Sequence, residues 1–358
     1  MHKPAPAQAC AIGELPPLNP RDPAEILTAL RLRWKRRRLL FRALRKRRQL
    51  RAVADRTGAI RPEDILAALT VRNELARLPH FLDHYRRLGV GHFLIVDNGS
   101  TDGTTAYLRG QPDVSLWLTE ASYKLSRFGL DWLTWIMIRH AHDHWCLTLD
   151  ADEILIYPYW ETRDLRALTA RLEAQGRDSM GAVMLDLYPR DRLSSGDFAG
   201  GDPLQALQWF DSGNLSVQVQ PGLRNLWIQG GPRSRLFFAD EPRKGPTLNK
   251  VPLVRWNRRF AYVNSTHAIL PRRLNRIYDE TGGETLSGVL LHTKFLPMAA
   301  EKAAEEKQRG QHFANSARYE GYYDGLVADP VLWCSNSTRL TGWRQLEARG
   351  MMSRGGWI

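Results

Sequence analysis

The chain has 358 residues, 43% hydrophobic and 25% charged, a globular composition long enough for one large domain with appendages or for two domains. Disorder throughout is excluded. So is a disulfide framework: Cys10, Cys146 and Cys334 are an odd set with no CxxC pair, which favours a reducing compartment and argues against a thiolate metal site. The formal net charge is +13, but Arg31 to Arg51 holds twelve Lys and Arg and no acid, so the rest of the chain is close to neutral.

The opening MHKPAPAQACAIGELPPLNP is rich in proline and lacks the apolar centre of a secretory signal. No stretch reaches the roughly 18 uncharged apolar residues of a membrane span. The expectation is a cytoplasmic protein. Residues 1–60 read as a proline-rich start followed by a basic helix, on which Leu27, Leu30, Trp34, Phe41 and Leu44 share one side, interrupted by Arg37, Arg38, Arg45 and Arg48. Three readings of that helix compete: docking on an anionic membrane surface, which would place the protein peripherally on the inner face of the cell membrane; a charged extension packed on the domain; and nucleic-acid binding. The stacking ladder and modular motifs of a nucleic-acid binder are absent, which weighs against the last.

From Ile65 onward the pattern alternates. Ile65–Thr70 is an apolar run that predicts a strand, and Leu75–Leu88 has helical spacing through Leu78, Phe81, Leu82 and Tyr85. His92–Val96 predicts a buried strand, halted by Asp97-Asn-Gly-Ser-Thr-Asp-Gly103, with a short helix over Thr104–Arg109. Val114–Leu118 is a third strand, Gly129–His142 a helix, and Trp145–Leu149 a fourth strand ending at Asp150-Ala-Asp-Glu153. This βαβα series predicts an α/β fold with a mostly parallel sheet, helices on both faces, and ligands beyond the carboxyl ends of the strands. Farther on, a helix is expected over Arg163–Ala174 and strands over Gly181–Tyr188, Val251–Trp256, Phe260–Val263 and Leu286–His292. Helices follow over Met298–Arg309 and Ala317–Leu326. Residues 190–203 and 222–246, rich in Gly, Pro, Asp and Arg, read as long loops of functional use.

Two constellations carry chemistry. Asp150 and Asp152 stand two apart at a strand end and can project to one side. Mg²⁺ and Mn²⁺ need only one or two carboxylates plus substrate phosphate oxygens, so the pair suffices for a metal site, against the plainer reading of a strand cap. Asp97 ends an apolar strand at the ligand edge, where a carboxylate can accept from a base N–H or a ribose hydroxyl. Its plainer reading is a turn, because Asn-Gly and Asp-Gly accept positive φ and Ser100 and Asp102 can cap the next helix.

VRNE at Val71, VDNGSTDGT at Val96 and LDADE at Leu149 resemble, in that order, glycosyltransferase family 2 enzymes of the GT-A fold. LLHTKF at Leu290 and EEKQRGQHF at Glu305 are similar to a bacterial branch of that family. The resemblance spans Ile65 to about Gly350. It implies a Rossmann-like glycosyltransferase domain over 61–295 with a helical C-terminal segment, 296–358, packed on it. It further implies Arg72 and Glu74 beside the nucleotide, Asp97 on the base, and Asp150 and Asp152 holding Mn²⁺ or Mg²⁺ on the diphosphate. Arg127 and Asp131 are candidates for the diphosphate against a reading as surface ion pairs. His292 resembles a late histidine that completes the metal shell or contacts the diphosphate, and Lys250 and His267 lie in segments similar to ones near the site.

The implied reaction moves a sugar from a nucleotide-diphosphate donor to a glycan or glycolipid hydroxyl with inversion, in bacterial surface polysaccharide or glycolipid assembly. Asp186, Asp240 and Glu241 are the candidates for the base that takes the acceptor proton. The rival readings are a nucleotidyltransferase, which asks for a Gly-rich, Lys-bearing phosphate loop where this chain has Arg72-Asn-Glu-Leu, and a non-catalytic protein binding nucleic acid or an anionic surface through its basic helix.

Overall fold

The structure, a computed structural model, describes residues 21–277, 285–309 and 320–358. The proline-rich start with Cys10, residues 310–313 of the EEKQRGQHF segment and the first residues of the helix expected from Ala317 lie outside the described residues. The chain opens with α1 (Pro23–Lys46), capped by Asp22 accepting from the Ala24 amide and carrying proline in its first turn, both preferred at a helix start. There follow β1 (Arg51–Ala54), β2 (Ile65–Val71), α2 (Leu78–Arg87), β3 (Val90–Asp97), α3 (Thr104–Arg109), β4 (Val114–Leu118), α4 (Leu130–His140), β5 (Trp145–Thr148), β6 (Glu153–Ile156), α5 (Leu165–Ala174) and β7 (Ser179–Asp186). The second half adds β8 (Trp209–Asp211), β9 (Ser216–Gln220), β10 (Asn225–Gln229), α6 (Gly231–Phe237), β11 (Asn249–Arg255), β12 (Ala261–Tyr262), β13 (Ile269–Leu270), β14 (Gly288–His292), α7 (Ala299–Arg309), α8 (Glu320–Val327), β15 (Ser337–Arg339) and α9 (Trp343–Ala348).

Nine strands form one sheet in the order β1-β4-β3-β2-β5-β11-β7-β14-β6. β4, β3, β2, β5, β7 and β14 point one way, while β1, β11 and β6 run against them. The fold is therefore α/β with a mostly parallel, Rossmann-like sheet, as the βαβα pattern implied. From β2 the chain winds to β3 and β4 on one side and returns to β5 on the other. That reversal opens a crevice beyond the carboxyl ends of β2 and β5, where ligands of such sheets bind.

Period-two geometry divides β2 between two cores. Ile65, Ala67, Leu69 and Val71 meet Leu78, Phe81, Leu82 and Tyr85 of α2 and Leu165, Leu168 and Leu172 of α5. Leu66 and Ala68 face the other way, with Leu130, Leu133, Ile136 and Met137 of α4. A strand buried on both faces reads as a continuous apolar run, as ILAALTV does. Phe81 is 1% exposed, and its truncation to Ala should cost about 3–5 kcal/mol. Trp343 and Leu346 of α9 join the α2-side core; Tyr322, Tyr323 and Leu326 of α8 cluster with Tyr188 and Phe295.

One expectation about the elements is corrected. Residues 222–246 are not one loop: they contain β10 and α6, whose apolar content (Leu226, Trp227, Ile228) is short and flanked by Gly and Pro. From the DxD, β6 leaves directly and pairs antiparallel with β14. In α1, the residues turned inward are Leu39 and Ala43, with Leu32 and Leu40 partly covered against Ala261, Val263, Ala268 and Leu270; Leu27, Leu30, Trp34, Phe41 and Leu44 face outward. Both faces of this helix carry leucines, so composition alone does not tell which one is covered.

Candidate active site

The carboxyl ends of the parallel strands open into a cleft of about 1010 Å³. Its wall includes Arg72 and Glu74 after β2, Asn98 after β3, Arg127 before α4, Asp150, Asp152 and Glu153 after β5, Arg233 on α6, Arg243 and Lys244, Lys250 on β11, His267, and His292 with Lys294 after β14. Eight Lys and Arg face four acids in that lining, a balance that favours an anionic ligand. Gly129 lets α4 start at this wall: its φ is +76°, and an added Cβ would meet Thr70 Oγ1 at 2.4 Å, a contact no L side chain tolerates.

Strand register builds the heart of the site. Across β6, β14 and β7, Glu153 pairs with His292 and His292 with Asp186. The resulting chain runs Arg233 Nε to Asp186 at 2.7 Å, Asp186 to His292 Nδ1 at 2.6 Å, and His292 Nε2 to Asp152 at 3.2 Å. Burial opposes the charged form of Asp186, but Arg233 and His292 outweigh it and hold its pKa down to about 2. Burial likewise opposes the imidazolium of His292, yet Asp152 and Asp186 raise its pKa above the ordinary value. Against its own desolvation, Asp152 is held well below the carboxylate range by His292, Arg77 and Lys294. Arg233 Nη2 is buried and has no hydrogen-bond partner among the described residues, a donor still available in the cleft wall.

Beside this chain, Lys250 Nζ lies 2.6 Å from Glu153 and 3.1 Å from Asp150. Burial works against the ammonium, but the two acids hold the Lys250 pKa above the usual lysine value. His267 donates from Nδ1 to the Asn249 carbonyl at 2.7 Å. Burial, reinforced by Lys250, lowers its pKa to about 3, so the ring is neutral and Nε2 is an acceptor.

The other sequence candidates fall on either side of the cleft wall. Arg72 lines the cleft and donates to the Asn98 carbonyl at 2.7 Å. Glu74 lines it too, tied to Arg77 at 2.7 Å and to Lys302. Arg127 lines it with its guanidinium on the carbonyls of Tyr262 and Val263, 2.7 Å each, and on Asp131 at 3.2 Å. Asp131 is fully buried, outside the lining, and clasped by Arg42 at 2.9 Å. It serves as the ion-pair partner of two arginines and is not presented to the cleft.

Asp97 is fully buried at the end of β3 and does not line the cleft. Its oxygens accept from the Ser100 amide at 2.9 Å, the Ser100 hydroxyl at 2.7 Å and the Thr105 hydroxyl. The geometry gives it the turn-forming part.

None of the three base candidates lines the cleft. Asp186 is 3% exposed with its oxygens engaged by Arg233 and His292, so it orients His292 and does not meet an acceptor. Asp240 and Glu241 sit on the exterior, Glu241 paired with Lys244. Sequence reasoning missed Glu153 and Arg233. The first was hidden inside LDADE as part of a turn, the second in a Gly-Pro-Arg stretch read as loop.

A divalent cation was expected at Asp150, Asp152 and His292. No three His, Cys, Asp or Glu side chains among the described residues converge as a ready-made metal site. The donor chemistry nevertheless fits at two of the three: Asp152 and His292 Nε2 face one another, and Asp186 behind Nδ1 is the carboxylate that typically orients a ligating imidazole. Asp150 is engaged by Lys250.

Fold and cleft define an α/β protein with an anion-favouring site at the topological switch of a Rossmann-like sheet. No protein-family model matches the chain. No curated protein matches it either. Among solved structures it is similar to one described as the crystal structure of 4-diphosphocytidyl-2C-methyl-D-erythritol synthase, with 12% identity over 82% of this chain and 99% of that one and a TM-score of 0.27. A likeness that weak carries neither an activity nor a substrate across. No helix among the described residues is long and apolar enough to cross a membrane.

Proposed function

We propose that this protein is a metal-assisted glycosyltransferase that binds a nucleotide-diphosphate sugar in the cleft and transfers the sugar to an acceptor hydroxyl of a glycan or glycolipid. The observation that carries this reading is the meeting, at one cationic cleft, of the VRNE end of β2, the DxD end of β5 and His292 at the end of β14. Arg72, Arg233 and Lys294 supply positive charge for the diphosphate, and Arg233 brings an unused buried donor. Asp152 and His292 would hold Mn²⁺ or Mg²⁺, which supplies Lewis-acid stabilisation of the departing diphosphate.

In the reaction the bond from the anomeric carbon to the phosphate oxygen breaks and a bond to the acceptor oxygen forms. The pair of electrons leaves with the diphosphate, and the acceptor proton passes to a base. This chain's residues hold the leaving group in place: Asp186 fixes the ring of His292, and Lys250 neutralises Glu153 so that the pocket floor does not repel the phosphates. Placing cations before the charge develops is what lowers the barrier.

The test is calorimetry with UDP, GDP, CDP and ADP in the presence of Mn²⁺, followed by product analysis with the matching nucleotide sugars. Release of a nucleoside diphosphate and a sugar product supports glycosyl transfer. Release of pyrophosphate in a parallel incubation with a nucleoside triphosphate and a sugar 1-phosphate assigns nucleotidyl transfer instead, and no binding of any nucleotide overturns both.

A further inference from the structure

We infer that the outward face of α1 docks the protein on an anionic lipid surface. The helix is fixed by three clasps on its inward side: Glu25 with Arg272 at 2.5 Å, Arg42 with Asp131 at 2.9 Å, and the Arg47 guanidinium over the Trp135 ring at 5.2 Å. Between them, Leu39 is buried against the β12–β13 region, and Ala43 is fully buried as well. The opposite face is thereby held outward and rigid. On it Trp34 is 68% exposed and Phe41 58%, with Ile26, Leu27, Leu30 and Leu44 also exposed. From Ile26 to Leu44 this row is about 27 Å long.

A large aromatic and aliphatic stripe is not held in water without a use, and the chemistry around it names the occupant. Arg31, Arg33, Lys35, Arg37, Arg38 and Arg45 are exposed among and beside those apolar side chains, and Arg37 lies over the Trp34 ring at 5.7 Å. A protein partner with an apolar groove would leave this dense charge to be desolvated. An anionic bilayer accepts both at once: rings and leucines enter the headgroup layer, and guanidinium groups stay at the phosphates. Each basic side chain near such a surface raises partitioning about fivefold. The inward face of α1 contacts Val263, which lines the cleft, and Arg42 grips Asp131 and the Leu125 carbonyl next to Arg127. Docking would therefore hold the cleft wall near the bilayer. The inference stands on the helix alone and does not depend on glycosyl transfer.

Full-length protein is mixed at about 50 mM salt with vesicles of neutral lipid or of neutral lipid with about 30 mol% anionic lipid, then sedimented. Binding to the anionic vesicles only, weakening toward 1 M salt, is expected. Arg38→Glu/Arg45→Glu should reduce it about 25-fold or more, and Trp34→Ser/Phe41→Ser about tenfold or more. All four side chains are exposed, so both variants should keep the wild-type melting temperature. No binding to anionic vesicles overturns the inference. So does binding indifferent to Trp34→Ser/Phe41→Ser, which would be adsorption of charge without insertion. Displacement from vesicles by single-stranded RNA at low salt would assign the face to nucleic acid, and a dimer dissolved by Trp34→Ser/Phe41→Ser without lipid would assign it to a second copy; either result overturns the inference.

Discussion

Lys250→Met removes the lysine paired with Glu153 in the cleft floor, and its cost follows from who is buried. Lys250 is 4% exposed in its side chain and Glu153 1%, 2.6 Å apart, whereas Asp150 is 52% exposed and 3.1 Å away. Water screens Asp150, so its share is small. Glu153 has no such relief, and breaking a buried pair by deleting one partner costs about 3–5 kcal/mol. For a chain of this size that is roughly 4–7 °C in melting temperature.

The loss has a pH signature. Burial already holds the Glu153 carboxyl above the ordinary range in the wild type, against the pull of Lys250; in the variant the counter-charge is gone, so its folded pKa rises further above the unfolded value of about 4.3. A group with a raised folded pKa favours the fold below its unfolded pKa, and that contribution disappears as pH rises through the folded one. The difference between wild type and Lys250→Met should therefore be largest at about pH 8 and smaller at about pH 5, and Lys250→Met/Glu153→Gln should recover most of it. Differential scanning calorimetry at the two pH values decides. A shift under about 1 °C at pH 8, or the same shift at both, would refute the pairing as described.

Asp152→Asn should lower donor turnover on the order of 100-fold, the effect of losing several kcal/mol of charge stabilisation, while leaving the melting temperature within a few degrees because the side chain stands partly exposed at the cleft; steady-state assay in Mn²⁺ checks both. Asp97→Ala should destabilise by about 3 kcal/mol through three lost hydrogen bonds to a buried carboxylate, seen in urea denaturation, with calorimetric nucleotide affinity unchanged in the folded fraction; selective loss of affinity would return Asp97 to base recognition. Asp186, with its folded pKa near 2 against about 3.9 unfolded, stabilises the fold above about pH 4 and loses that contribution as pH falls toward 2. The stability gap between wild type and Asp186→Asn should thus be constant above about pH 5 and narrow below pH 4.

The parallel half of the sheet was legible because its strands are buried on both faces, so ILAALTV, HFLIV, VSLWL and WCLTL stand out as apolar runs closed by turn residues. The α3 and β4 boundaries match residue for residue. What was illegible depends on long-range pairing. The reversed strands β1, β6 and β11 carry no local mark of direction. Lys250 meets Asp150 across 100 positions, and Arg233 meets Asp186 across 47, contacts that only the closed sheet creates.

VDNGSTDGT admits both the turn role and base recognition for Asp97, because Ser100 and Thr105 are near in sequence whether or not they bend back to the carboxylate. Asp186 read as a free acid in MLDLY because its two partners come from α6 and β14. The inward side of α1 hinges on Ala43 and Leu39, which the Trp34 and Phe41 side outweighs in bulk.

The central claim is that this cleft holds a nucleotide-diphosphate sugar and releases the sugar from it. Its most direct test is a turnover screen of nucleotide sugars with Mn²⁺, reading nucleoside diphosphate release for wild type and Arg233→Met, since Arg233 brings the unused donor to the cleft wall. Release of a nucleoside diphosphate from at least one donor, lowered on the order of 100-fold in Arg233→Met, is the expected result. No release from any donor by wild type, or equal release by a folded Arg233→Met, would contradict it.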